Sequence, residues 1–129
     1  MSSDWDASIK LLYATDVGTF FTIDDVSNGT TFDVIANVEI GEDLNQNVDS
    51  FVLRVAIVNL TQSSSVFTVD QPGTLSPASN PFFAEERVNI PAGWTAAVGD
   101  VLQAVASYKV TAGANTDFST AQSNTFVVS

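Results

Sequence analysis

The chain lacks cysteine and histidine entirely, and among its 129 residues it has only four basic side chains, Lys10, Arg54, Arg87 and Lys109. Histidine and cysteine most often transfer protons at neutral pH, attack substrates or bind transition metals. Serine and threonine are plentiful, but the chain has no histidine to activate them and no Gly-x-Ser-x-Gly elbow. We therefore expect a protein that is not an enzyme, with no catalytic residues and no cofactor.

Charge is scarce and mostly of one sign, with 15% charged residues and a net charge of −11. Such a surface repels nucleic-acid phosphates, so no nucleic-acid partner is expected. A surface of Ser, Thr, Asn and Gln is typical of extracellular, cell-surface or virion-associated modules, and we expect such a location. The chain has no basic, signal-peptide-like start, and no apolar run reaches the roughly 18 residues of a membrane-spanning helix.

Alternation of apolar and polar residues is the dominant pattern, and it predicts strands. Residues 31–40 are apolar at every even position, as in a strand with one wet face. Segment 20–26 precedes them, separated by a turn that contains Asn28-Gly29, a strong hairpin signal. Further strands are expected in 51–60, 66–69, 82–90, 101–111 and 125–129, with a loop over 71–81. The N-terminal alternation from Trp5 to Tyr13 favours a strand over a helix.

These patterns predict an all-β fold, a single antiparallel β-sandwich domain over residues 1–129 with about seven or eight strands. Segment 1–14 is expected to be an edge strand or a segment that docks on the domain or on a neighbour. The chain resembles immunoglobulin-like and fibronectin type III-like sandwiches in its strand count and in the stretches TTFDVIANVEI and NIPAGWTAAVGDVLQAVASYKV. The resemblance implies an immunoglobulin-like architecture but no particular function.

One segment has the spacing of a calcium-binding loop, with oxygen-bearing side chains at Asp43, Asn45, Asn47 and Asp49. The loop has no glycine at its sixth position, and Arg54 stands where the bidentate glutamate belongs. We therefore treat it as a weak calcium candidate and expect no metal. Three acidic doublets place neighbouring carboxylates on opposite faces of a strand, which disfavours a carboxylate-based hydrolase.

Segment 51–60 is apolar on both faces, which is unusual for a sandwich with one wet face. Its second apolar face, with Val52, Val58 and Leu60, needs cover from a loop, the N-terminal segment or another subunit. We expect a structural or interaction module that forms a homo-oligomer or polymer through apolar patches or edge strands, in a surface, filament or virion assembly. The alternative is a carbohydrate-binding module that uses exposed aromatic rings. The interaction candidates are Trp5, Ile9, Val52, Val58, Leu60, Phe83 and Trp94.

Overall fold

A computed structural model of the chain describes residues 6–129. Within them the chain forms nine strands and one short helix. In chain order these are β1 (Ala7–Thr15), β2 (Asp25–Val26), β3 (Phe32–Ile40), α1 (Glu42–Asn45), β4 (Ser50–Asn59), β5 (Ser64–Thr74), β6 (Phe82–Ile90), β7 (Val101–Ala112), β8 (Asn115–Gln122) and β9 (Phe126–Val128).

The strands form two sheets that pack against each other. The small sheet has the order β1-β3-β6, and the large sheet has the order β2-β9-β7-β4-β5, with β8 also paired to β7. The expected all-β fold is therefore confirmed. The expectation of purely antiparallel pairing is wrong, because β2 lies parallel to β9 and makes the large sheet mixed.

The core lies between the two sheets and follows the period-2 alternation of the long strands. In β3, β4 and β7 every second side chain points inward and is buried. The side chains of these strands that belong to the core cluster are Phe32, Val34, Ala36, Val38, Ile40, Phe51, Leu53, Val55, Ile57, Leu102, Ala104, Ala106, Tyr108, Val110 and Ala112.

Strand β1 contains a bulge that the sequence pattern did not show. Its pairing with β3 shifts between Ile9 and Leu11, so the residues that point inward change parity at this point. Leu12 and Ala14 are consequently buried, whereas Leu11 is 52% exposed. The simple alternation expected through Tyr13 therefore breaks at the bulge.

The Asn28-Gly29 turn forms, but it does not connect a hairpin. Gly29 adopts φ 78°, and the N–H of Thr30 donates to the carbonyl of Ser27 (3.1 Å). The strand before the turn, β2, pairs with β9 in the large sheet, whereas β3 belongs to the small sheet. The turn thus joins the two sheets, and the hairpin prediction is wrong.

Candidate interaction surfaces

The outer face of the large sheet carries the second apolar set of β4. Val52, Ala56 and Val58 alternate there with exposed Arg54, and all three are half-buried. Pairing between β4 and β7 brings half-buried Val105 beside Ala56. Leu60, just beyond the strand, is 47% exposed. The predicted second apolar face therefore exists in the folded chain.

This face contains a shallow open depression of about 510 Å³. Its lining includes Arg54, Ala56, Val105, Ser107, Thr120 and Gln122. Arg54 donates two hydrogen bonds to Asp70, at 2.7 and 3.0 Å. These bonds hold the pKa of Asp70 below its usual value and raise that of Arg54. The depression therefore offers neutral hydroxyl, amide and apolar groups beside an ion pair.

The outer face of the small sheet is partly covered by the loop between β1 and β2. Arg87 donates to Asp33 (2.8 Å) and to the carbonyl of Thr19 (2.8 Å). Asp33 also accepts from Asn89 (2.9 Å) and from the backbone N–H of Gly18 (3.0 Å). Burial raises the pKa of Asp33, but these hydrogen bonds and the Arg87 charge outweigh it and hold the pKa below its usual value. The network fastens the loop to the sheet.

Two exposed phenylalanines lie on this side of the molecule. Phe20 stacks over the Arg87 guanidinium at 5.0 Å and is 62% exposed. It borders an open groove of about 390 Å³ that also includes Tyr13, Gln122 and Asn124. Phe83 is 68% exposed, and in β6 it pairs with Glu39 of β3. An aromatic ring beside amide side chains is the combination that sugars contact.

Trp94 was predicted to be an interaction residue, but in the folded chain it is buried. Its side chain is 6% exposed, and its ring meets Phe32 edge-to-face at 6.0 Å. Its indole N–H donates to the carbonyl of Thr30 (2.8 Å). Trp94 therefore closes one end of the core and offers no platform to a ligand.

A buried carboxylate organises the corner that follows Trp94. Asp100 accepts hydrogen bonds from Asn59 (2.8 Å) and from the backbone N–H of Ala97 (2.9 Å). The hydrogen bond from Asn59, then that from Ala97, holds the pKa of Asp100 below its usual value. In the sequence Asp100 is distinguished only by following Gly99, so its part in joining β4 to the corner loop was not predicted.

The calcium-like loop folds into local structure instead of a cation cage. Asn45 is buried, and its amide donates to the carbonyl of Asn80 (2.9 Å). Asp49 accepts from the backbone N–H of Gly113 (2.7 Å), and the Asn47 amide turns back toward the carbonyl of Asp43 (3.5 Å). Residues 6–129 contain no group of three acidic, His or Cys side chains placed to hold a metal ion. The side chains of Asn45, Asn47 and Asp49 are thus bound to different backbone groups and do not converge.

The remaining interaction candidates lie in the N-terminal segment. Ile9 was predicted to be an interaction residue, but it is half-buried and packs against the core. Its side chain points inward because Ile9 pairs with Val38, whose side chain is buried. Trp5 lies outside the described residues.

No protein-family model matches the chain, and no curated protein is significantly similar to it. Within residues 6–129, no helix is long and apolar enough to cross a membrane.

Proposed function

We propose that the protein is a non-enzymatic structural module that associates with copies of itself, within a surface, filament or virion assembly. The observation that carries the proposal is the half-buried apolar set on the outer face of the large sheet, around Val52, Val58 and Val105. Strand β1 belongs to the small sheet and so does not cover this set. We therefore assign its cover to a second subunit.

The energetics favour association once charge repulsion is screened. Full burial of a valine or leucine side chain contributes about 1.5–3 kcal/mol relative to full exposure. The half-buried valines of this face would each contribute part of that, so several must be covered together to offset the cost of association. The net charge of −11 makes two copies repel each other at long range. Salt shortens that repulsion, so assembly is expected to strengthen as the salt concentration rises.

A matched pair of substitutions tests the proposal. Val58→Asp places a charge in the apolar set, whereas Val98→Asp makes the same change in a corner loop, where Val98 is 75% exposed. Val58→Asp should remove the association made through this face and so lower the mean molar mass at a given protein concentration, while far-UV circular dichroism stays unchanged. Val98→Asp should assemble as the wild type does. Equal assembly of both variants and the wild type would contradict an interface at Val58.

Carbohydrate binding is a second candidate, supported by the groove beside Phe20 and Tyr13. Its amide side chains, Gln122 and Asn124, are suited to sugar hydroxyls. Affinity electrophoresis in soluble polysaccharides would test it: retardation of the wild type that Phe20→Ala abolishes supports binding at this groove. Retardation that Phe20→Ala leaves intact, or no retardation at all, would contradict it.

The strand arrangement supports an immunoglobulin-like or fibronectin type III-like kinship, which we propose on topology alone. In those sandwiches the first, second and fifth strands share one sheet, and the third, sixth and seventh share the other. If β2 and β9 are set aside as short additions, β1, β3 and β6 share the small sheet, and β4, β7 and β8 share the large one.

A further inference from the structure

The two long sides of the sandwich differ in how their strand edges are covered. On one side, β1 lies against β8: the backbone N–H of Ala7 donates to Asp117 (2.7 Å), and that of Ile9 donates to Ser119 (3.1 Å). On the other side, β5 and β6 each pair with one strand only within residues 6–129. Their outer backbone groups are therefore free to pair with another strand.

One hydrogen bond just beyond the end of β5 shows which of its backbone groups point away from β4. The N–H of Leu75 donates to the carbonyl of Asp49, the residue that precedes β4 (3.1 Å). Because backbone groups alternate in direction along a strand, the even-numbered residues between Thr68 and Thr74 point their N–H and C=O groups away from β4. Pro72, which has no N–H, occupies one of these outward positions, as expected for an edge strand.

Charge distinguishes β5 from β6 as a surface for a second copy. β5 has a single charged side chain, Asp70, and Arg54 neutralises it through two hydrogen bonds. β6 carries Glu85 and Glu86 at its centre, and its one cation, Arg87, is already bound to Asp33. Glu86 also accepts a hydrogen bond from Gln71 of β5 (3.3 Å). Pairing of two β6 strands would place these glutamates in the seam itself, whereas the only acid on β5 is the neutralised Asp70. Of these two edges, β5 is therefore the better one for pairing with a second copy, because it adds the least repulsion between two acidic molecules.

We infer that β5 pairs antiparallel with β5 of a second copy, about a two-fold axis at Val69. This register places Thr68 opposite Asp70 of the second copy, so their outward backbone groups meet and no like charges stand directly opposite. Val69 then faces its own copy, on the side where Phe67 and Val69 are only partly buried against the core. The inference rests on the proposed function, and it adds a second interface, along the edge of the large sheet, to the one on its outer face.

Cysteine crosslinking tests this register directly, because the natural chain contains no cysteine. Val69 faces its copy in a non-hydrogen-bonded pair, with Cα atoms about 4.5 Å apart, within the range of a disulfide. Glu85→Cys, on the neighbouring β6 edge, is the matched control. Under mild oxidation Val69→Cys should form covalent dimers roughly tenfold faster than Glu85→Cys, because the pairing holds its two thiols together.

A charge-swap pair keeps the test independent of the disulfide. Val69→Lys and Val69→Glu should each lose dimers when alone, since like charges face each other across the axis, and an equimolar mixture should regain them. Circular dichroism verifies that each variant is folded. If the wild type associates but Val69→Cys crosslinks no faster than Glu85→Cys and the mixture gains no dimers, this interface is wrong while the proposed function stands. A wild type that remains monomeric contradicts both.

Discussion

Trp94 provides a direct test of whether the aromatic residue at the corner belongs to the core. Replacing a buried tryptophan with alanine removes its packing and leaves a cavity, which costs about 3–5 kcal/mol. Trp94 is 6% exposed and touches Phe32 edge-to-face, so Trp94→Ala should lower the free energy of unfolding by that amount. Trp94→Phe keeps a ring but loses the hydrogen bond to Thr30, so it should lower the free energy of unfolding by about 1–2 kcal/mol.

The assay is urea unfolding followed by far-UV circular dichroism, because the substitution removes one of the two tryptophan fluorophores. All variants are compared at one protein concentration, since association stabilises the folded state by mass action. Phe83→Ala is the control: Phe83 is 68% exposed, so its loss should change stability by no more than about 0.5 kcal/mol. A cost below about 1 kcal/mol for Trp94→Ala would refute the core assignment.

Three further predictions concern stability and cations. Gly73→Ala would bring its Cβ within 2.6 Å of the Phe51 ring, so we expect thermal unfolding to show a loss of about 1–3 kcal/mol; an unchanged melting temperature would contradict that contact. The lowered pKa values of Asp33 and Asp100 stabilise the fold above their ordinary value of 3.8, and stability should fall as the pH drops through 3.8 toward the lowered values. Stability that stays constant through this range in acid titrations would refute those networks. Calorimetric titration with calcium should show no sub-micromolar binding. Sub-micromolar binding that Asp43→Ala abolishes would contradict this prediction and show that the loop binds calcium.

The long strands could be predicted because their side chains alternate between core and solvent. The second face of β4 was also predictable, since Val52 and Val58 occupy positions opposite the core set. The pairing of β2 with β9 was not predictable, because two residues carry no periodicity and the Asn28-Gly29 turn signals a reversal without specifying the sheet that follows.

Strand β5 extends through Pro72 and Gly73, although the sequence placed a loop from residue 71. Proline is excluded from a central strand but not from an edge, and edge position is a property of the whole fold. Gly73 lies opposite Phe51, whose ring covers the glycine, and no local pattern reveals such a cross-strand contact. The network around Asp33 was missed for the same reason, since its partners are distant in sequence.

The central claim is that the protein associates with itself through neutral and apolar surfaces despite its net charge of −11. Light scattering over a range of protein concentrations tests it most directly, at about 0.1 M and about 1 M salt, where the Debye length falls from about 10 Å to about 3 Å. Self-association predicts a molar mass that rises with protein concentration and rises more steeply at high salt. A mass that stays at the 13.7 kDa of one chain under all these conditions would contradict it.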